Sequence, residues 1–228
     1  MQKQIDNQTT RRSMLLGLGA AVAGAAVIAT PKASAQDSGF QPPRHDVDAW
    51  FDTLPGDHRV FIDTATGRGG AESLLYASNL HNARQSAYAG DPADFAMVIC
   101  LRHFSTPFAF NDAMWEKYGN VFHGTTQISD PNSNAAPTSN LMLSENYGLA
   151  LPNLGSTINA VLELGVQFAI CDAATQFLAT QLAQATSGDF NQIYSELQAN
   201  AIPGRFVSAG VMALTRAQEY GYSLLYAG

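Results

Sequence analysis

Short, continuously apolar runs alternate with longer stretches of helical spacing from residue 58 to residue 228. The run at 59–64, marked by Val60 and Ile62, predicts a first strand. A glycine turn, Gly67-Arg68-Gly69-Gly70, follows it. Leu74, Leu75, Ala77, Leu80 and Ala83 then recur at helical intervals and predict a helix over 71–88. The run at 94–103 is apolar on both faces, as a buried parallel strand is. Further on, the pattern predicts helices over 108–118 and 154–164, the latter closed by Gly165 as its C′ residue. A third strand is expected at 166–171, helices at 173–184 and 190–200, and a fourth strand at 205–208. A helix over 209–220 and a last strand at 222–226 complete the set. Strands alternating with helices predict an α/β domain: one parallel sheet of five strands with helices on both faces. The chain shows no internal repeat and no second domain.

Two segments stand outside this alternation. Residues 36–57 are rich in Gln, Pro, Asp and Gly and read as a leader over the surface, with a short helix near Trp50. Residues 119–153 are dominated by Asn, Ser, Thr and Pro and hold no period. An insertion of that length in a compact domain is usually functional or mobile.

The first 35 residues carry a different signal. A polar start leads to Thr10-Arg11-Arg12-Ser13-Met14, a twin-arginine string, and then to a Gly/Ala-rich apolar run over 14–29. The run is shorter than the roughly 20 residues of a membrane span. Ala33-Ser34-Ala35 directly behind it is an A-x-A cleavage site. The expectation is a twin-arginine export signal cut after Ala35, with the mature chain in the periplasm and holding no stable membrane span.

Charge narrows the partners. Of 12 Lys+Arg and 19 Asp+Glu, the first 35 residues hold Lys3, Arg11, Arg12 and Lys32 against Asp6. The remainder carries eight cations and eighteen carboxylates, a formal −10, with Lys117 its one lysine. Such a surface repels phosphate backbones and anionic lipid, so nucleic acid is not expected as a partner. The two cysteines, Cys100 and Cys171, lie inside apolar runs, where a disulfide between them is possible but not demanded.

Ligands of open α/β sheets bind beyond the carboxyl ends of the strands. That rule selects Gly67–Gly70, Arg102-His103, Cys171-Asp172 and Ser208-Ala209-Gly210. Gly69 and Gly70 would offer backbone N–H groups to an anion, although no full nucleotide-binding glycine pattern is present. Cys171 closes a strand just before a helix, a setting that favours the thiolate. Arg102 and His103 would supply positive charge, and Asp172 would oppose it. Cys100 reads as core. Cys171, His103 and His81 lack metal-ligand spacing, so no metal is expected, and no cofactor is. No G-x-S-x-G elbow supports a hydrolase.

Gly165-Val-Gln-Phe-Ala-Ile-Cys171, Ile202-Pro-Gly-Arg-Phe-Val-Ser-Ala-Gly-Val211 and Leu214-Thr-Arg-Ala-Gln218-Glu-Tyr-Gly221-Tyr222 together resemble the DsrE/DsrF-like (YchN-like) family. The resemblance covers residues 58–228 in fold order. It implies a three-layer α/β/α sandwich with strands in the order 3-2-1-4-5, and homo-oligomers. It also implies a persulfide carried on Cys171. On that reading Arg102 and His103, placed by their strand end, would stabilise the thiolate and position an anionic sulfur donor, and the expected partner is a small sulfur-containing anion or a protein thiol. The residues leave a second reading open: a non-enzymatic binding or assembly domain. In it Cys171 is packing, and the 119–153 insertion makes the contacts with Trp115, Tyr118 and Phe122 beside it.

Overall fold

A computed structural model describes residues 41–88 and 94–228. The expected export signal lies outside them, and no helix among the described residues is long and apolar enough to cross a membrane. Residues 42–228 belong to one compact unit.

The sheet contains β1 (His58–Thr64), β2 (Phe95–Leu101), β3 (Gln167–Cys171), β4 (Arg205–Val207) and β5 (Ser223–Ala227), all parallel. Alternation of side chains along the strands sorts the core onto two faces. Val60, Ile62, Met97, Ile99, Leu101, Phe168 and Ile170 point to one face. Phe61, Val98, Cys100 and Ala169 point to the other. The α/β class, the five parallel strands and the helices on both faces are as the sequence pattern predicts.

The strand order is β4-β3-β2-β1-β5. β2 lies between β1 and β3 as expected from the order 3-2-1-4-5. The fourth strand, however, pairs with β3 through Ala169–Arg205 to Cys171–Val207, and the fifth takes the place beside β1. β4 explains this itself: it has three residues and opens on an exposed Arg205. A strand flanked on both sides and covered on both faces would have to bury that charge.

Right-handed crossovers place the helices. From β1 to β4 the chain always steps in one direction. The intervening helices α2 (Gly67–Ala87), α3 (Asp112–Thr126), α4 (Ile158–Glu163), α5 (Asp172–Thr186) and α6 (Phe190–Ala199) accordingly pack on the same, larger core. From β4 the chain returns to the far side of β1. Its helix α7 (Gly210–Glu219) therefore lies on the other face.

One ten-residue helix cannot cover that face, and the leader supplies the rest. Its helix α1 (Trp50–Thr53) buries Trp50 and Phe51 against Phe61, Tyr220 and Tyr222 instead of lying over the surface. The Phe51 carbonyl accepts from Arg59 Nη1 at 3.0 Å and from the Tyr222 hydroxyl at 2.9 Å. Burial pushes the Tyr222 phenol up to about 12, so it remains a donor across ordinary pH. Arg216 of α7 holds Asp48 at 2.8 Å and the Pro43 carbonyl at 2.5 Å.

The 119–153 insertion is more ordered than its composition suggests. α3 runs on to Thr126 because Phe122 and Thr126 continue its buried stripe. It stops at Gln127, whose φ of 58° is left-handed. The irregular remainder is tied to the core by Asn140, whose side-chain amide donates to the Phe108 and Phe110 carbonyls at 2.9 and 2.8 Å. Trp115, Tyr118 and Phe122 are all buried.

Because Phe51 is fully buried and shared by the leader and the sheet, Phe51→Ala is expected to lower unfolding stability by roughly 3–5 kcal/mol. Equilibrium urea unfolding would measure this.

Candidate functional site

The helix after β3 lies on one face of the sheet and the helix after β4 on the other. Where neighbouring strands part company in this way, a crevice opens beyond their carboxyl ends. A cleft of about 410 Å³ occupies that place, with Cys171 at its base and Arg102, His103, Phe104, Phe177 and Val211 among its walls.

Cys171 is the last residue of β3 and the N-cap of α5, but its side chain does not cap that helix. Its sulfur instead accepts the backbone N–H of Gly210, the first residue of α7, at 3.2 Å. The starts of two helices thus converge on one sulfur, each contributing the positive end of its dipole. The Ala173 N–H donates to the Ser208 carbonyl at 3.2 Å and ties the two helix starts together. Gly210 is required here. A Cβ at that position would lie 2.7 Å from Arg102 Cβ and 3.0 Å from Cys100 Sγ. Cys171 is 6% exposed, and the cleft is its opening.

Arg102 follows the last paired residue of β2 and stands next in register to Cys171. Its guanidinium is already engaged: Nε and Nη2 donate to the two carboxylate oxygens of Asp63 at 2.6 and 2.7 Å. Asp63 is 2% exposed on β1. The hydrogen bonds to Asp63 raise the Arg102 pKa further, although burial works against this. The expected cation beside the thiol is present, but it is half of a neutral pair. His103 reaches the mouth of the cleft in a left-handed backbone, φ 55°, with its ring 3.9 Å from that of Phe104. Backbone strain of this kind tends to collect at functional sites.

Cys100 lies on the same face of the sheet but is fully buried. Burial raises its pKa well above 9.0; the charges of Asp63 and Cys171 add to the effect, and Arg102 opposes it. Both cysteines are free thiols. Cys100 pairs with Ala169, two residues before Cys171. Strand spacing and rise then put the two cysteine Cα atoms about 8 Å apart. A disulfide would need backbone movement at that distance.

Gly69 and Gly70 do not line this cleft. Their N–H groups go to the Thr66 hydroxyl at 2.8 Å and the Thr66 carbonyl at 2.9 Å. A Cβ on Gly69 would lie 2.2 Å from the Ala227 carbonyl oxygen, and one on Gly70 2.8 Å from Ser105 Cβ. These glycines let α2 pack onto β5 and the segment after β2, so the anion cradle expected there has no free donors at either position. His81 lines a separate cavity with Phe95, Ala96 and Gln167, at the amino ends of the strands, away from Cys171 and His103. No group of three metal-ligating side chains occurs among the described residues.

Asp63 and the aromatic rim escaped sequence reasoning. A carboxylate inside Val60-Phe61-Ile62-Asp63-Thr64 was a readable sign of a buried ion pair. Nothing in the sequence distinguished Phe104 or Phe177 from core aromatics. No protein-family model, no curated protein and no solved structure matches this chain.

Two outcomes follow from the buried charges. Asp63→Asn leaves Arg102 without its counter-charge and is expected to cost roughly 3 kcal/mol, the lower end of the range because Arg102 stays 19% exposed; denaturant unfolding measures it. The raised Cys100 thiol stays protonated in the folded protein after the unfolded thiol has ionised. Its stabilising effect is complete below the ordinary thiol value of 9.0 and is lost as pH rises beyond it. Unfolding free energy measured across that range should fall less steeply in Cys100→Ala than in the parent protein.

Proposed function

We propose that this chain is an exported sulfur carrier of the DsrE-like kind, with Cys171 as the residue that holds the sulfur. The observation that carries the reading is the Gly210 N–H directed at Cys171 Sγ at the base of the cleft. A donor at a helix start stabilises negative charge on Cys171 Sγ, both as it attacks the donor and as it leaves when the sulfur is unloaded.

In the loading step the Cys171 thiolate attacks the outer sulfur of a donor. A new S–S bond forms as the donor's own bond to that sulfur breaks, and the leaving group departs with the electron pair. In the unloading step an acceptor thiolate attacks the outer sulfur of the persulfide, and Cys171 leaves as a thiolate held by Gly210. No net oxidation occurs in either direction. Cys100 is fully buried and does not line the cleft, so it does not discharge the persulfide. The acceptor is therefore another molecule, a protein thiol or a small sulfur nucleophile in the periplasm. Assembly into homo-oligomers belongs to the same proposal.

The competing binding-domain reading takes its contacts from the 119–153 insertion, with Trp115, Tyr118 and Phe122 beside it. All three aromatic side chains are buried, so what remains for that reading is the insertion itself. Treatment with polysulfide or thiosulfate is expected to add whole sulfur masses to the intact protein, removable by reductant and absent in Cys171→Ser. No gain in the parent protein, or an equal gain in Cys171→Ser, would count against the proposal.

A further inference from the structure

The Cys171 cleft is built for more than an inorganic ion. A small sulfur anion occupies little more space than a few waters of about 30 Å³ each. The cleft holds about 410 Å³, within the range of pockets that take organic molecules, roughly 300–1,000 Å³. Three large apolar side chains from three different segments stand exposed around it: Phe104 at 45%, Phe177 at 57% and Val211 at 57%. Single exposed apolar side chains are ordinary, but a cluster at the mouth of one concavity marks a binding surface.

The electrostatics point the same way. The Arg102 guanidinium is neutralised by Asp63, and the chain after residue 35 carries a formal −10 that repels anions at long range. Concavity suits a small-molecule donor in the loading step, because Cys171 is only 6% exposed and opens into the cleft.

We infer that the cleft selects an organic sulfur donor whose substituent is apolar and about the size of an aromatic ring. This rests on the carrier reading of Cys171. For a hydropersulfide donor the step is Cys171–S⁻ plus R–S–SH giving Cys171–S–SH plus R–S⁻. The outer sulfur moves to Cys171, the donor S–S bond breaks, and the electron pair leaves on R–S⁻. R lies between Phe104 and Phe177 while this happens.

The test compares loading rates of the full chain with two donors of similar leaving-group chemistry, benzyl hydropersulfide and hydroxyethyl hydropersulfide. Inorganic polysulfide is run beside them. Intact mass reads the sulfur gained, and chromatography with light scattering reads the oligomeric state. Benzyl should be preferred, and the preference should fall by about tenfold or more in Phe177→Ser, an exposed position whose change leaves the fold intact. Equal rates for the two donors, or a preference unaltered in Phe177→Ser, overturn the inference and leave the carrier intact. A Phe177→Ser protein that loses an oligomeric contact while keeping the preference assigns the rim to subunit packing and also overturns it. No loading from any donor, polysulfide included, defeats the carrier reading and this inference with it.

Discussion

Right-handedness of the strand crossovers fixes nearly everything else in this molecule. Three crossovers in one direction load five helices onto one face of the sheet, and the return from β4 must use the other. The reversal opens the cleft between α5 and α7 and sets the two helix starts against each other, with Cys171 between them. It also leaves the second face undercovered. The leader then has structural work to do: Trp50 and Phe51 complete a core that α7 alone would leave wet.

The two cysteines differ in role because only Cys171 lines the cleft, while Cys100 is fully buried. Cys100 is sealed from water under Gly210, where burial and the nearby Asp63 disfavour its ionisation. Cys171 meets a backbone donor and open space. The Asp63–Arg102 pair lies between these settings. Removing two charges from water is costly, and their mutual attraction with good bidentate geometry offsets that cost. The arrangement keeps a guanidinium at the wall without an unbalanced charge, and the donor atoms at Cys171 come from backbone.

The elements themselves were legible because β1, β2 and β3 are short apolar runs and α2 keeps a helical period. Cys171, Arg102 and His103 are singled out in the sequence by their positions at strand ends, and the structure brings all three to one cleft. The order of the sheet was not legible: β4 has only three residues, and its neighbour is decided by burial that no local pattern records. Gly69 and Gly70 misled for a related reason. A glycine needed for close packing and one needed to bind an anion look alike until the neighbouring Ala227 carbonyl and Ser105 are in place. The 119–153 insertion hid its order because scattered contacts tie it, the Asn140 side chain and the buried Leu141, Met142 and Leu151 among them.

The division between the two sulfurs is the claim on which the account stands, and competitive alkylation tests it directly. Folded protein would be treated with limiting iodoacetamide, digested, and each cysteine-containing peptide quantified. Modification is expected at Cys171, with Cys100 reacting only after unfolding. A Cys171 that stays unmodified until the protein unfolds, or that reacts no faster than Cys100, would contradict it.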